Sequence, residues 1–322
     1  MAVEFEELAV PAERTDVEKR SLVHADGVFK FIVGAFAVSV IVLLVALGTQ
    51  LYLSSKLAFT SLGFWNFVSG MTWDPVTNVF GALPFIYGTA VTSFLSLLIA
   101  TPLGIGTAVF LAELSPNWLR QFLQPLVELL AGIPSVIYGL WGIFVLSPLM
   151  GTYVEPFLTD HFGYLPFFKG YPLGIGFLTA SIILAIMIVP FIISVSTEVL
   201  RTVPTPLKEG MYALGATRWE TLKKICLPYA RSGIFGSVVL ALARALGETM
   251  AVTMVIGNTP QISKSLFDPG YTMAAVIANE FTEAASASYL SALIAVAFIL
   301  LLITLLVNAI ARWLIWRTTR SS

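Results

Sequence analysis

The chain has 322 residues, of which 57% are hydrophobic and only 11% are charged, and its mean hydropathy is +0.87. Soluble domains are about 45–50% apolar and about 25% charged, so this composition indicates a membrane protein. The balance of 18 basic against 19 acidic residues argues against a nucleic-acid-binding surface. The single cysteine excludes an internal disulfide, and two histidines far apart in the sequence give no metal-site pattern.

The chain begins with an acidic stretch, residues 1–28, in which seven acidic residues face three lysines and arginines. Because this stretch is polar and lacks a clear apolar periodicity, we predict a flexible, solvated arm in the cytoplasm. The first apolar segment, residues 29–53, follows the arm and is long enough to span a bilayer. We therefore expect an uncleaved transmembrane helix rather than a signal peptide.

Six apolar segments are long enough to cross the hydrocarbon core, which needs roughly 20 helical residues. The sequence thus predicts an all-α membrane protein with transmembrane helices at 29–53, 83–112, 122–149, 173–200, 229–257 and 289–313. With the N-terminus in the cytoplasm, 14 of the 18 basic residues fall on that side, against three on the other. Basic residues accumulate in cytoplasmic loops, so both termini are expected in the cytoplasm.

Several predicted spans contain proline and glycine, as in AGIPSVIYGLWGIF at residues 131–144. Such residues are tolerated in a membrane where neighbouring helices or a water-filled cavity satisfy the freed backbone groups. One interpretation is plain helix packing, and the other is that Pro134, Ser135 and Tyr138 line a pathway.

Two of the loops predicted on the outer side have features of their own. The loop at residues 150–172 is rich in aromatic residues, which fits either an interfacial belt or a docking surface for an external partner. The stretch at residues 272–281 is apolar but too short to span, so it predicts a short interfacial or re-entrant helix.

The longest predicted inner loop, residues 201–228, carries signals for two short amphipathic helices. Thr205 and Pro206 fit an N-cap and a first helical residue, and Gly215 can end that helix. A second helix is expected to start at Thr217, because Glu220 lies three residues further on, as in a capping box. Two such helices outside the membrane form a knob that is suited to fit into a partner protein.

This loop resembles the EAA loop of ABC importer permeases, whose anchor positions match Glu209, Gly215, Ile225, Leu227 and Pro228. It departs from the family pattern where Gly210 and Met211 replace two alanines. The resemblance implies that the first short helix is a coupling helix resting in a groove of an ATPase subunit. The chain has no Gly-Lys dipeptide and hence no phosphate-binding loop of its own. We therefore expect ATP on a partner polypeptide, and a transporter subunit rather than an enzyme.

Two further stretches, LLAGIPSVIYGLWGIF (129–144) and ARALGETMAVTMVIGN (243–258), resemble permeases of ABC phosphate importers, and the PstC type more than the sister PstA type. With the loop, the resemblance runs over about residues 83–315. It implies the type I ABC importer fold in a bacterial cytoplasmic (inner) membrane. The partners that it implies are a PstA-type second permease, a PstB-type ATPase dimer and an external PstS-type phosphate-binding protein.

Arg244 and Glu248 are charged residues inside the fifth predicted span. Arg244 lies about 24 Å along the helix from Pro228, near mid-depth. An intramembrane charge costs roughly 2.5–3.5 kcal/mol to insert, so such residues are functional or tightly paired. On a helix their four-residue spacing places both on one face, which is expected to face the bundle interior.

The guanidinium fork matches the oxygen acceptors of phosphate, so Arg244 is expected to face the anion. Glu248 would hold the Arg244 rotamer, accept a proton from phosphate, or pair with Arg244 in the resting state. A buried ion pair that only positions helices is the alternative for both residues.

Two other functions stay open at this point. An importer for molybdate or sulfate would share the same loop, and a membrane scaffold could sense phosphate without transporting it. A membrane enzyme is the least favoured class, because no nucleophile–base pair or metal-ligand pattern is visible in the sequence.

Overall fold

The computed structural model describes residues 16–320, with side chains described for residues 27–317. The first 15 residues, which hold much of the predicted acidic arm, lie outside the described part. Within it the chain is almost entirely helical, as predicted, and the helices are α1 Asp16–Leu62, α2 Phe64–Ser69, α3 Leu83–Val109, α4 Asn117–Ala131, α5 Ser135–Trp141, α6 Ser147–Leu149, α7 Glu155–Phe162, α8 Phe177–Arg201, α9 Thr205–Ala213, α10 Arg218–Thr221, α11 Leu227–Leu246, α12 Met250–Ile256, α13 Met273–Glu280 and α14 Ala287–Arg320.

Short segments of other backbone geometry complete the fold. Four single π-helical turns continue α-helices without breaking them: Phe110–Leu114, Gly142–Leu146, Met150–Val154 and Leu222–Cys226. A 3₁₀ turn covers Pro166–Phe168. Strands β1, Trp73–Asp74, and β2, Val79–Phe80, form a small antiparallel hairpin in which Trp73 pairs with Phe80.

Within residues 16–320, six helical stretches are long and apolar enough to cross a membrane. We number them span 1 to span 6: Gly27–Leu62, Leu83–Leu114, Ser135–Phe162, Phe177–Arg201, Arg218–Leu246 and Ala287–Arg317. Spans 2, 4 and 6 lie close to their predicted positions. The helix of span 1 is longer than predicted, because α1 runs from Asp16 to Leu62 and so includes the end of the predicted arm.

The predicted third span, residues 122–149, is wrong as a single helix. Its first half belongs to α4, which ends at Ala131, and span 3 begins only at Ser135. Pro134 explains the break, since proline lacks the amide donor and disfavours helical backbone in the residue before it. Span 3 then continues to Phe162, so that residues 150–162, which were predicted as loop, are helical.

The predicted fifth span, residues 229–257, is also interrupted. Helix α11 ends at Leu246, Gly247 forms its C-cap, and α12 restarts the helix at Met250. At its other end the span begins earlier than predicted, because the last helices of the preceding loop continue directly into α11.

The chain divides into two compact units, residues 1–50 and residues 51–322. In the first unit, the apolar side chains along α1 are solvent-exposed, including Phe31, Phe36 and Leu43. In the second unit, α8 lies at the centre of the largest hydrophobic cluster and buries Ile183, Leu184 and Ile188 completely.

Helix α8 packs along α3 and α11 at close range. A Cβ atom at Gly104 of α3 would lie 2.7 Å from Cγ2 of Ile192 in α8, and one at Gly233 of α11 would lie 2.4 Å from Cγ1 of Val199. Glycine at these two positions therefore lets three spans approach closely, as is common between membrane helices.

A second hydrophobic cluster joins the hairpin to α13 and the start of α14. Helix α13 confirms the short helix predicted over residues 272–281, and the Thr272 hydroxyl caps it by accepting from the Ala275 amide. The Glu280 carboxylate accepts from the indole nitrogen of Trp73 at 2.8 Å and from the Tyr289 hydroxyl at 2.6 Å. These bonds fix the end of α13 between the hairpin and span 6.

Candidate functional site

Arg244 lies in the last turn of α11, with its guanidinium stacked on an aromatic ring of α8. The guanidinium carbon is 4.4 Å from the centroid of the Phe191 ring, within range of a cation–π interaction. Its Nε atom is buried without a hydrogen-bond partner. The position in the last helical turn is favourable for a cation, because the helix C-terminus carries partial negative charge.

Arg244 has no hydrogen bond or ion pair with any other residue in the described part of the chain. An aromatic face attracts a cation but does not occupy its hydrogen-bond donors. The terminal nitrogens of Arg244 therefore keep their capacity to donate to an oxygen-bearing anion.

Glu248 does not share a helical face with Arg244, contrary to the expectation from the four-residue spacing. It follows the end of α11, and its Oε1 accepts from the backbone amide of Ala251 at 3.2 Å, in the first turn of α12. A carboxylate is well placed there, since the first amides of a helix lack internal partners. The Arg244–Glu248 ion pair considered for the resting state is not formed in this structure.

Tyr138, one of the three residues predicted to line a pathway, lies near this break. It is buried on α5, and its hydroxyl donates to the carbonyl of Leu130 at 2.8 Å. Helix α5 is packed tightly on α12, as a Cβ at Gly139 would lie 2.5 Å from Sδ of Met254. The structure thus brings Tyr138 into the neighbourhood of Arg244.

The other two residues, Pro134 and Ser135, lie one helical turn before Tyr138. Pro134 is exposed at the turn between α4 and α5, and Ser135 is half-buried at the start of α5. Their lining of a pathway stays a prediction. A role for Phe191 could not be predicted from the sequence, because nothing in its local sequence distinguishes it from the other phenylalanines. Only its contact with Arg244 identifies it.

The loop at residues 201–228 forms the two predicted helices. Gly215 has φ of 83° just after α9, and the Ala216 amide donates to the Met211 carbonyl at 3.0 Å, which closes the helix as a Schellman motif. The start of α9 differs by one residue, since Pro204 rather than Thr205 is the N-cap. The predicted capping box of Thr217 and Glu220 is present at the start of α10.

The five residues that match the EAA pattern are distributed along this loop. Glu209 is exposed on α9 and Gly215 ends that helix, whereas Ile225 and Leu227 are half-buried beneath the loop and Pro228 is exposed at the start of α11. Helix α9 buries none of its residues and exposes large apolar side chains, among them Leu207 and Tyr212. An exposed amphipathic helix of this kind is suited to dock into another protein.

Six spans, a helix break that carries an unpaired arginine, and a helical knob beside the spans define a multi-pass membrane transport subunit. Residues 100–320 match the sequence profile of the family described as "Binding-protein-dependent transport system inner membrane component". The chain belongs to this family.

Curated relatives cover nearly the whole chain. The phosphate transport system permease protein PstC of Mesorhizobium japonicum is 50% identical over 315 residues, which is 96% of each chain. The protein of the same name from Xylella fastidiosa is 48% identical over 317 residues, or 97% of each chain.

A solved bacterial ABC transporter involved in the import of the acidic polysaccharide alginate supports the fold. Its matched chain superimposes with a TM-score of 0.59 at 19% identity, covering 92% of this chain and 98% of its own. The type I ABC importer permease fold predicted from the sequence is confirmed by this likeness and by the family match.

Proposed function

We propose that this chain is a permease subunit of an ATP-driven ABC importer for inorganic phosphate. The observation that carries the proposal is Arg244, which is held on the Phe191 ring in the last turn of α11 without a carboxylate partner among the described residues. Phosphate presents several oxygen acceptors, and the guanidinium fork binds such a group through two parallel hydrogen bonds. The names of the two relatives favour phosphate over other oxyanions.

The orientation follows from the distribution of positive charge. With both termini in the cytoplasm, the loop at residues 201–228 and its five basic residues lie on that side of a bacterial inner membrane. The exposed helix α9 would then rest on an ATPase, which supplies the ATP-binding sites that this chain lacks. This subunit performs no covalent chemistry.

The assembly would contain a homologous second permease, a PstA-type subunit in this reading, together with a PstB-type ATPase dimer. An external PstS-type protein would deliver phosphate, in accord with the binding-protein dependence in the family's description. Closure of the ATPases would switch the pathway between outward and inward access, the usual basis of such transport.

In this mechanism Arg244 binds the anion transiently, and Glu248 acts on the backbone rather than on the anion. A carboxylate repels phosphate, but it stabilises the start of α12 by accepting from the Ala251 amide. Glu248 would thereby keep the break open, so that the end of α11 and its arginine face the pathway.

Transport by the complete complex in reconstituted vesicles tests this proposal. We expect Arg244→Ala to abolish uptake of labelled phosphate and Arg244→Lys to retain only a small part, because an ammonium lacks the fork. Arg312→Ala removes an exposed arginine from span 6 and is the matched control, with assembly checked by copurification. Assembled Arg244→Ala complexes that import phosphate at the rate of the unaltered complex would refute the role of Arg244.

The substrate is tested separately by competition. An excess of molybdate or sulfate should leave uptake of labelled phosphate unchanged, whereas strong competition would assign the chain to another oxyanion. Phosphate-stimulated ATP hydrolysis without accumulation would instead favour a sensing scaffold.

A further inference from the structure

Helix α9 packs against the start of span 5, through α10 and the π turn Leu222–Cys226, and is joined to span 2 by a side-chain hydrogen bond. None of its residues is buried, and its backbone hydrogen bonds stay within the loop. In the described part of the chain, one side-chain hydrogen bond connects α9 to a spanning helix: Lys208 Nζ donates to Glu113 Oε1 at 2.6 Å. Neither residue belongs to the EAA pattern.

This ion pair lies in a partly desolvated position. The side chains of Lys208 and Glu113 are 19% and 14% exposed, and the Cys226 thiol lies next to the Glu113 carboxylate. Below the pair, a hydrophobic cluster joins the ends of spans 2 and 4 to the start of span 5; its buried members are Ala108, Leu200, Val203, Leu222, Cys226, Ala230 and Ile234. A pair at such a site is screened less by water and salt than an exposed one.

Glu113 lies at the end of span 2, which is packed against the candidate site. Gly104, nine residues earlier, contacts Ile192 of α8 so closely that a Cβ would lie 2.7 Å from its Cγ2. Ile192 is the neighbour of Phe191, whose ring holds the Arg244 guanidinium. A displacement of Glu113 along span 2 would therefore act on α8 at Ile192, the residue next to Phe191 in the sequence.

We propose that the Lys208–Glu113 pair is the connection that passes movement of α9 to span 2 and from there to the Arg244 site. This inference rests on the proposed function, because it takes α9 as the helix that an ATPase moves. It assigns to Lys208 and Glu113 a positioning role in coupling, separate from docking: the exposed side of α9 binds the partner, and the pair transmits the displacement. Coupling between distant sites requires such a physical element with two arrangements.

The test uses the complete complex with Lys208→Met, Glu113→Gln and the exchanged double variant Lys208→Glu/Glu113→Lys. Phosphate imported per ATP hydrolysed should fall about tenfold in each single variant, as a charged hydrogen bond is lost. Copurification of the ATPase should be unchanged, and the double variant should recover most of the ratio. Lys223→Met is the matched control, since Lys223 is an exposed lysine of residues 201–228 and has no side-chain hydrogen bond to span 2 in the described part of the chain.

A second measurement does not depend on the substrate. A cysteine introduced as Ser135→Cys should change its labelling rate when ATP is added, because Ser135 is partly exposed near the candidate site, whereas native Cys226 is buried. The single variants should lose most of this ATP response. A complex that shows the response but imports no phosphate would refute the proposed function and leave the coupling role standing. Single variants with normal phosphate transport per ATP and a normal labelling response would overturn the coupling role. Single variants that no longer bind the ATPase, with binding not restored in the double variant Lys208→Glu/Glu113→Lys, would overturn it as well.

Discussion

The stacking of Arg244 on Phe191 leads to a quantitative prediction for Phe191→Leu. Leucine keeps an apolar side chain at this position but removes the ring face that lies 4.4 Å from the guanidinium carbon. A cation–π contact contributes about 0.5–1 kcal/mol when exposed and about 2 kcal/mol when desolvated. Arg244 is half-buried with its Nε excluded from solvent, so we expect a loss of about 1–2 kcal/mol in the orientation of the guanidinium.

At about 1.4 kcal/mol per factor of ten, this loss corresponds to about a 5- to 30-fold fall in kcat/KM for phosphate uptake by the reconstituted complex. Phe191→Tyr keeps the ring and should stay close to the unaltered complex. Phe235→Leu, which changes an exposed phenylalanine of α11, controls for general effects on span packing. Transport by Phe191→Leu within twofold of the unaltered complex, while Arg244→Ala is inactive, would refute a role of the ring in orienting the guanidinium.

Three further predictions concern stability. Gly88→Ala should lower the unfolding temperature in detergent, because the added Cβ would collide with the backbone oxygen of Tyr271. Gly106→Ala on the same helix is the control: its Cβ meets nothing within 4 Å, so the substitution should be neutral or stabilising. Thr217→Ala should destabilise the capping box by about 1 kcal/mol, seen as faster amide exchange after residue 217, and Thr217→Ser should preserve it. Burial raises the pKa of Tyr271 from 10.0 to about 12, so the unfolded chain ionises first and stability should fall as pH rises from 10 towards 12. Tyr271→Phe should make that fall in the unfolding temperature smaller, and an identical pH dependence would contradict the assignment.

Much of the architecture could be predicted from hydropathy and turn residues. Spans 2, 4 and 6 are long apolar runs with polar flanks, and the capping box at Thr217 is a local pattern that needs no tertiary contact. The third and fifth spans, which were predicted as single helices, are broken at points where an apolar run continues through a backbone break. Hydropathy describes side chains and not backbone conformation, so it cannot detect the turn before Ser135 or the end of the helix after Leu246.

The candidate site could be predicted only in part for a related reason. Arg244 is conspicuous because a charge in an apolar run is expensive. Its relation to Glu248 was inferred from a spacing that assumes a continuous helix, and Gly247 removes that assumption. Phe191 and the Lys208–Glu113 pair depend on contacts between residues far apart in the chain, for which one sequence carries no local signal.

The interruption between α11 and α12 has a consequence for how the membrane is sealed. Gly247 is exposed and the helical hydrogen-bond ladder is broken there, so the backbone needs water or another protein as its neighbour, since lipid tails cannot supply hydrogen bonds. A single copy of this chain therefore exposes backbone polar groups at Gly247 that can bind water, next to apolar helix surfaces. In the assembly that we propose, the second permease would cover this stretch of backbone, and the water that it binds would belong to the pathway.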